Sequence, residues 1–380
     1  MKSILSANES YRIPAHAPYL HPCRQHKYTQ IKTGAVGFRA LYALIFVYAL
    51  SACEKKPEEF HHSILSFGTV IDVTLYDVDE ALADKLFKEL DADFKLLHDV
   101  WTPWADSSLS RINHLLPTER KFSAGPSVIP LIYESIKLAE ATDNLFNPAI
   151  GKLINLWGFH KSDEADIKPP DAARIKQLVD SNPKMSDLHL QGVQIRSSNP
   201  DVQLNFGAFA KGYAIDQSIR YLKKSGVKHA IINTGGDLKA IGKHGDRPWR
   251  IGIRHPRKND IIASIETRGE ESVFTSGDYE RFYMYKGKRY HHILDPRTGY
   301  PAEGSQSVTV IHTNSGLADA AATALFIAGP QQWLKIAKKL KLKQVMLIDS
   351  KGDIYVTPEM KQRLQFTSQN APVLIVTPPL

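Results

Sequence analysis

The stretch SGLADAAATALFIAG (Ser315–Gly329) predicts a helix that is apolar on almost every side. Ser315 suits the N-cap position, and Gly329 followed by Pro330 is a clear stop signal. A helix made mostly of Ala, Leu, Phe and Ile is expected to be buried. The residues before it, 305–312, read as a strand. We therefore predict a helix packed against a sheet.

Short strands and helices alternate irregularly along the rest of the chain. The predicted strands are Ile64–Tyr76, 188–196, 201–206, 229–234, 249–254, 261–267, 289–294 and 305–312. The predicted helices are Asp79–Val100, Ser127–Thr142, Asp171–Ser181, 209–224, 315–328 and 330–341. Because the pattern has no regular βαβ repeat, we predict an α+β fold with mixed or antiparallel sheets and packed helices. A Rossmann site is not expected, since no glycine-rich fingerprint follows a strand.

The charge of the chain is concentrated in its first residues. The net charge is +8, and residues 1–52 carry six Lys or Arg against one acid. The remaining 42 basic and 39 acidic residues nearly balance, so a nucleic-acid partner is not expected. The two cysteines are Cys23 and Cys53, so the body of the chain has no disulfide and no thiol chemistry.

The segment before Cys53 has the layout of a signal peptide. Arg39 precedes the apolar run Leu41–Ala52, which is short for a membrane span, and Leu50–Cys53 resembles a bacterial lipobox. The alternative is a short buried helix with an incidental cysteine. We predict a leader over 1–52, an acylated Cys53 and a polar tether over 53–63.

The buried helix carries two polar side chains, Asp319 and Thr323, four residues apart on one face. A buried carboxylate needs a partner or a metal. A carboxylate and a hydroxyl one turn apart can form part of a Mg²⁺ site. The alternative is an Asp paired with a lysine or a backbone N–H.

Three glycine-containing turns could contact a ligand. Gly207-Ala208 precedes a helix with Lys211 in its first turn, an arrangement that can hold a phosphate. Gly235-Gly236-Asp237 joins two strands, and Ser276 follows another strand. Each is more often a plain turn. In Leu145–His160, Phe146 or Trp157 could cover a planar heterocycle, although core packing is the default.

The stretch HHILDPRTGYP (His291–Pro301) combines two histidines with a rigid Asp-Pro turn. It is either a surface turn or a turn that holds a catalytic imidazole. On a strand, His291 and His292 should point to opposite sides.

Nine motifs in order make the chain resemble the ApbE family, whose members are FAD:protein FMN transferases. The resemblance covers about residues 64–345 and rests on SFGTVIDVTLYD, DSSLSRIN, LFNPAIGKLINLWGF, GAFAKGYAID, NTGGDLKAIG, TSGDYERF, HHILDPRTGYP, SVTVI and LADAAATALFIAG. It implies a two-lobed single catalytic unit over 64–380. It also implies that FMN passes from FAD to a threonine of a target protein and that AMP is released, with Mg²⁺ as cofactor.

The resemblance also implies roles for individual residues. The metal ligands would be the Ala208 carbonyl, the Asp319 carboxylate and the Thr323 hydroxyl. Lys211 would lie close to the metal and would act both as a catalytic residue and as an FAD-binding residue. His292 would be the base for the threonine hydroxyl. The other implied FAD contacts are Phe67, Leu145, Phe146, Asn147, Gly235, Gly236, Asp237 and Ser276.

The chain departs from many relatives at Phe67, where they have Met, and at Asn147, where they have Asp.

The acceptors implied are subunits of membrane redox pumps or exported flavoproteins. The implied location is the bacterial cell envelope, lipid-anchored, with the catalytic domain in the periplasm. Two other functions fit the same residues: an FAD pyrophosphatase that gives FMN and AMP, and an FAD-binding lipoprotein without catalysis.

Overall fold

The computed structural model of the chain describes residues 58–160, 168–367 and 373–380. The helices are α1 (Glu80–Trp101), α2 (Ser108–Leu115), α3 (Ile129–Ala141), α4 (Gly151–Trp157), α5 (Ala172–Asp180), α6 (Ala210–Lys224), α7 (Ser315–Lys339) and α8 (Pro358–Lys361). The predicted leader and Cys53 lie outside the described residues.

The strands in chain order begin at Glu59. They are β1 (Glu59–Ser66), β2 (Thr69–Tyr76), β3 (Phe122–Ser123), β4 (Leu188–Gln191), β5 (Gln194–Ser197), β6 (His229–Thr234), β7 (Asp237–Ile241), β8 (Arg250–Arg254), β9 (Ile261–Glu266), β10 (Glu271–Gly277), β11 (Phe282–Tyr285), β12 (Lys288–His291), β13 (Ser305–His312), β14 (Gln344–Asp349), β15 (Ile354–Val356), β16 (Gln365–Phe366) and β17 (Leu374–Val376).

One large sheet organises the described residues. Its nine strands lie in the order β1-β2-β6-β7-β10-β13-β14-β15-β17, and all neighbours are antiparallel except β15 and β17. Smaller sheets are β11-β12, β16-β9-β8 and β3-β5-β4. The α+β prediction with mixed sheets is confirmed.

Helix α7 packs against β10, β13 and α6, as its apolar sequence predicts. Strand β13 is buried along almost its whole length, and alanines of α7 such as Ala320 and Ala324 are fully buried. Gly329 has φ 66° and ψ 178°, which breaks α7 into two helical segments. The predicted stop at Gly329-Pro330 is therefore confirmed. Within the described ranges, no helix is both long and apolar enough to cross a lipid bilayer.

Two predicted strands are in fact hairpins. The strand predicted over Ile64–Tyr76 is β1 and β2, joined by Phe67 and Gly68 at φ 52° and 71°. The strand predicted over 188–196 is β4 and β5, with Gly192 in the turn. In both cases a two-residue turn without proline leaves the alternation of side chains uninterrupted, so the sequence pattern does not mark the turn.

Two further predictions need correction. Residues 201–206 form no strand and contribute only an isolated bridge from Gln203 to Ile150. Residues 59–63 were assigned to the tether, but they belong to β1, which pairs with β2 along its whole length. The alternation of polar and apolar residues in β1 is typical of a sheet edge with one buried face.

Candidate active site

The site begins where the chain turns into α6. The N–H groups of Phe209 and Ala210 both donate to the Phe206 carbonyl, and Lys211 lies in the first turn of the helix. Lys211 forms an ion pair with Asp237. Burial alone would lower the pKa of Lys211, but the charges of Asp237 and Asp319 outweigh it and raise that pKa. Lys211 is therefore a fixed positive charge.

Asp237 joins three elements of the site. It follows the two-residue turn Gly235-Gly236, whose φ values of 67° and 108° suit a hairpin of the type that glycine favours. One carboxylate oxygen pairs with Lys211, and the other accepts a hydrogen bond of 3.0 Å from the Thr275 N–H in β10. The predicted site residues of this turn therefore lie beside α6.

Asp319 in α7 contacts the first turn of α6. Its Oδ2 atom accepts a hydrogen bond of 3.1 Å from the Gly212 N–H. A Cβ atom at position 212 would lie 2.4 Å from the Ser315 carbonyl oxygen, so only glycine allows the two helices to approach this closely. Burial raises the pKa of Asp319 to about 7, although the nearby Lys211 charge opposes the rise. The hydrogen bond and charges that the protein supplies therefore do not fully stabilise the ionised carboxylate of Asp319.

Thr323 lies one turn further along α7. Its hydroxyl is 3.2 Å from the hydroxyl of Ser276, which places Ser276 at the same part of the site. Asp319 and Thr323 thus lie one turn apart on α7, with Asp319 in contact with α6 and Thr323 in contact with β10. Asp319 is 5% exposed, which confirms a buried carboxylate.

Asp216, a buried carboxylate that no sequence motif singled out, joins α6 to the N-terminus of α7. It accepts hydrogen bonds from the N–H groups of Ser315 and Gly316, from the Ser315 hydroxyl and from Lys239. A carboxylate at a helix N-terminus is stabilised by these donors and by the helix dipole. The sequence signal that indicates this role is the four-residue spacing from Gly212, which places Asp216 one helical turn later on the face of α6 toward α7.

His292 follows β12 directly and is held by the loop before β11. Its backbone N–H donates to the Arg281 carbonyl at 3.1 Å, and its ring Nδ1 lies 3.2 Å from the same oxygen. A carbonyl only accepts, so this contact favours the tautomer with the proton on Nδ1 and leaves Nε2 unprotonated. Enclosure by protein atoms, and then the charge of Arg281, lowers the pKa of His292 well below its usual value.

His291 has a different environment, as the alternation of side chains predicted. Its Nε2 lies 2.9 Å from the Ala302 carbonyl, and its ring contacts Phe326 edge-on in the buried interior. Burial lowers the pKa of His291, so it is a neutral structural side chain. Arg281, whose carbonyl orients His292, was missed because its part depends on the register of a hairpin.

Phe67 lies in an aromatic cluster that reaches α6. Its ring stacks on Trp101 at 6.2 Å between centroids, and Trp101 in turn contacts Tyr213, two residues after Lys211. Phe67 is half-buried, so part of its ring remains available to a ligand. The predicted FAD contact at Phe67 therefore borders the helix that carries Lys211.

Three predicted FAD-binding residues have their side chains inside the protein. Leu145 and Phe146 are buried in the main hydrophobic core. The Asn147 side chain donates to the Pro183 carbonyl at 2.8 Å and accepts from the Ala149 N–H at 3.0 Å. Core packing, the default interpretation for Phe146 and Trp157, holds for both side chains, since each is fully buried. An FAD contact from this segment would require backbone atoms or rearrangement, and it stays a prediction.

Comparison with known proteins identifies close similarity over most of the chain. A family model described as the ApbE family matches residues 67–347. A Rhodobacter capsulatus protein named FAD:protein FMN transferase is 39% identical over 319 residues, which are 82% of this chain and 60% of that protein. The chain thus spans less than two thirds of that relative's length.

Other relatives match along nearly their whole length. A Klebsiella pneumoniae FAD:protein FMN transferase is 34% identical over 81% of this chain and 94% of its own. The crystal structure of the ApbE protein from Thermotoga maritima matches with a TM-score of 0.74 at 27% identity, over 80% of this chain and 99% of that one.

Proposed function

The chain belongs to the ApbE family, and we propose that it transfers FMN from FAD to a threonine of a target protein and releases AMP. The observation that carries this proposal is the meeting of Lys211, Asp237 and Asp319 in one buried cluster, with a neutral His292 nearby. FMN transfer from FAD to a protein is also the activity for which the relatives are named.

The residues fit a divalent cation. The Gly212 N–H is donated to Asp319, and among the described residues no hydrogen bond to the Ala208 carbonyl is found. The Ala208 carbonyl, the Asp319 carboxylate and the Thr323 hydroxyl are oxygen donors of the kind that Mg²⁺ prefers. The raised pKa of Asp319 also indicates a carboxylate that a cation would stabilise. When bound, Mg²⁺ would neutralise charge on the pyrophosphate of FAD.

Lys211 and His292 would perform the remaining work of the transfer. Lys211 supplies a fixed positive charge to the phosphate oxygens. The threonine hydroxyl gives its proton to Nε2 of His292 while its oxygen attacks the phosphorus of the FMN half. The bond from that phosphorus to the bridging oxygen breaks, and AMP leaves with the bridging oxygen. The contact from Nδ1 to Arg281 holds the ring with Nε2 free.

The flavin nucleotide would lie between the turn Gly235-Gly236 and the aromatic cluster of Phe67. A turn without side chains lets a ligand approach the backbone, and Gly236 has open space where a Cβ would be. The half-buried ring of Phe67 could stack on a planar heterocycle. Ser276, beside Thr323, would complete the polar side of the site.

The same proposal includes a membrane anchor. Its support is the apolar run before Leu50–Cys53, which would be processed to leave an acylated Cys53 as the first residue. Two acyl chains anchor a protein stably, where one is marginal. The catalytic domain would then lie on the periplasmic side of the cell envelope, where exported flavoproteins and redox-pump subunits could serve as acceptors.

The test is incubation of the purified protein with FAD, Mg²⁺ and solubilised membrane proteins of the source cell. Flavin fluorescence of a protein band in a denaturing gel, together with AMP release, is the expected result. Free FMN with AMP and no fluorescent band would instead show a pyrophosphatase. Unchanged FAD would show a binding protein. The fluorescent band, once identified and purified, is the acceptor for the experiments below.

A further inference from the structure

Arg281 brings two separate groups to the site, a backbone carbonyl and a guanidinium. The carbonyl accepts a hydrogen bond of 3.1 Å from the His292 N–H and contacts the His292 ring. The register of the β11-β12 hairpin pairs Phe282 with His291, so the next pair along the hairpin is Arg281 with His292. Side chains of a cross-strand pair project from the same face. The guanidinium of Arg281 therefore lies on the same side of the hairpin as the imidazole of His292.

The Arg281 guanidinium also lies near Lys211. After burial, its charge is the largest cause of the lowered pKa of His292. Burial and the same charge both oppose the raised pKa of Lys211. Charges act strongly only over short distances, so one guanidinium is close to both groups. Lys211 and His292 are the side chains proposed to act on the phosphate and on the threonine hydroxyl, and Arg281 borders the space between them.

The guanidinium has no direct partner among the described residues. It makes no hydrogen bond and no ion pair there, and the adjacent Glu280 acts on it only through its charge. That carboxylate has another cation nearby: burial raises the pKa of Glu280, and Arg254 opposes this rise more than any other charge does. Arg281 is exposed, so its N–H groups are open to a ligand.

The charges of the site leave a need for one more cation. Lys211 is paired with Asp237, and Asp319 adds a second carboxylate. With Mg²⁺ bound, this cluster would be singly positive, whereas the pyrophosphate of FAD is doubly negative. Charge also spreads over the oxygens around the phosphorus during transfer. A guanidinium matches such oxygens with two N–H groups at once.

We propose that the guanidinium of Arg281 binds the non-bridging oxygens of the FMN phosphate and stabilises their charge during transfer. This inference rests on the proposed transferase activity and adds a catalytic residue to it. The attacking and leaving oxygens lie roughly in line across the phosphorus, so the AMP phosphate lies on the side away from His292. Arg281, beside His292, therefore recognises the FMN half of FAD and not the AMP half.

The experiment measures binding of FMN, riboflavin and AMP to wild type, Arg281→Gln and Arg281→Lys in the presence of Mg²⁺. Calorimetric titration gives each Kd without turnover. For Arg281→Gln we expect the Kd of FMN to rise about 10–100-fold, the usual effect of losing a hydrogen bond to a charged group. Riboflavin and AMP should bind as they bind to wild type. Arg281→Lys should recover part of the loss, because lysine keeps the charge without the two-donor geometry.

Turnover gives a second, independent measurement. AMP release by Arg281→Gln should fall about 10²–10³-fold, as when one donor to a developing oxyanion is removed. The substitution leaves the backbone carbonyl in place, so its contact with His292 remains. Thermal unfolding checks that the variants are folded, as expected for an exposed side chain. Lys286→Gln, which removes an exposed cation from the turn of the same hairpin, is the matched control and should change neither binding nor rate.

The outcomes separate the phosphate contact from other roles of Arg281. An unchanged Kd for FMN in folded Arg281→Gln would overturn the proposal. Equal losses toward FMN and riboflavin would also overturn it and would show a structural role. A loss toward AMP alone would assign the guanidinium to the leaving phosphate, against the proposal. Absence of AMP release by wild type, with FMN affinity still dependent on Arg281, would overturn the proposed function and leave the phosphate contact standing.

Discussion

The backbone amide of Gly212 donates its hydrogen bond to the carboxylate of Asp319, 107 residues further along the chain. Gly212 is the third residue of α6, so its N–H has no carbonyl partner within the helix, and Asp319 supplies the acceptor. The contact thereby joins the first turn of α6 to α7 and leaves the Ala208 carbonyl available. The predicted metal site thus depends on how closely these two helices approach.

Gly212→Ala should disrupt both stability and activity. The added Cβ would lie 2.4 Å from the Ser315 carbonyl oxygen and 3.0 Å from the Asp319 Cβ, so the helices must separate. Overpacking of this kind costs about 1–3 kcal/mol of unfolding free energy. Thermal unfolding and AMP release measure the two effects. Arg220→Ala, at an exposed position of the same helix, should change neither. A Gly212→Ala protein with wild-type Tm and rate would show that the close approach is unimportant.

Asp319→Ala should remove metal-dependent turnover. Loss of the only charged ligand proposed for the cation should lower AMP release by at least about 10²-fold, since metal ions contribute several kcal/mol to such reactions. Thr323→Ala should have a smaller effect, because it removes a neutral ligand. Calorimetric titration with Mg²⁺ gives a readout independent of activity. Chelator-treated wild type that still releases AMP at the original rate would rule out a metal requirement.

His292→Asn should keep FAD binding and lose transfer by about 10²–10⁴-fold, the range for a lost general base. Quenching of flavin fluorescence measures binding, and gel fluorescence measures transfer. His291→Asn is the informative neighbour: it should lower Tm, because His291 is buried against Phe326 and bonded to Ala302. Wild-type transfer in His292→Asn would assign the histidine to turn structure.

The lowered pKa of His292 also predicts a pH dependence. The folded protein binds this proton less tightly than the unfolded chain, whose histidine has a pKa near 6.5. The residue therefore has no effect on stability well above pH 6.5 and becomes destabilising as the pH falls below that value. His292→Asn should lose this part of the acid destabilisation in thermal unfolding at pH 5 and 8. An unchanged difference between the two pH values would contradict the shift.

Asn147→Asp should destabilise the protein. The side-chain N–H donated to the Pro183 carbonyl would become an oxygen facing that carbonyl. The expected loss is about 1–3 kcal/mol at pH 8, and it should shrink at low pH, where a protonated carboxyl can donate again. Chemical denaturation at both pH values measures it. Asn259→Asp, in an exposed loop, serves as control. A more stable Asn147→Asp protein would show that Pro183 can move away.

Local periodicity predicted the part of the site that lies on α7, whereas the other site residues came from the family resemblance. Asp319 and Thr323 were placed on one buried face because helical spacing alone brings them together. The ion pair of Lys211 with Asp237 joins residues that are 26 positions apart in the chain. It depends on how β6 and β7 pack against α6, and no local sequence pattern indicates that packing. The contact of the Arg281 carbonyl with His292 likewise depends on the register of the β11-β12 hairpin. The Phe67-Gly68 turn escaped notice because positive φ at phenylalanine is rare.

The contacts of Asp216 also bear on when the site forms during folding. It binds the N-terminus of α7 across 99 residues, so α7 takes its place only after the chain has been made well beyond residue 315. Until then Asp319 and Thr323 are not beside Lys211, and a growing or partly folded chain has no means of consuming FAD. The proposed transfer therefore requires that segments 99 residues apart have already come together.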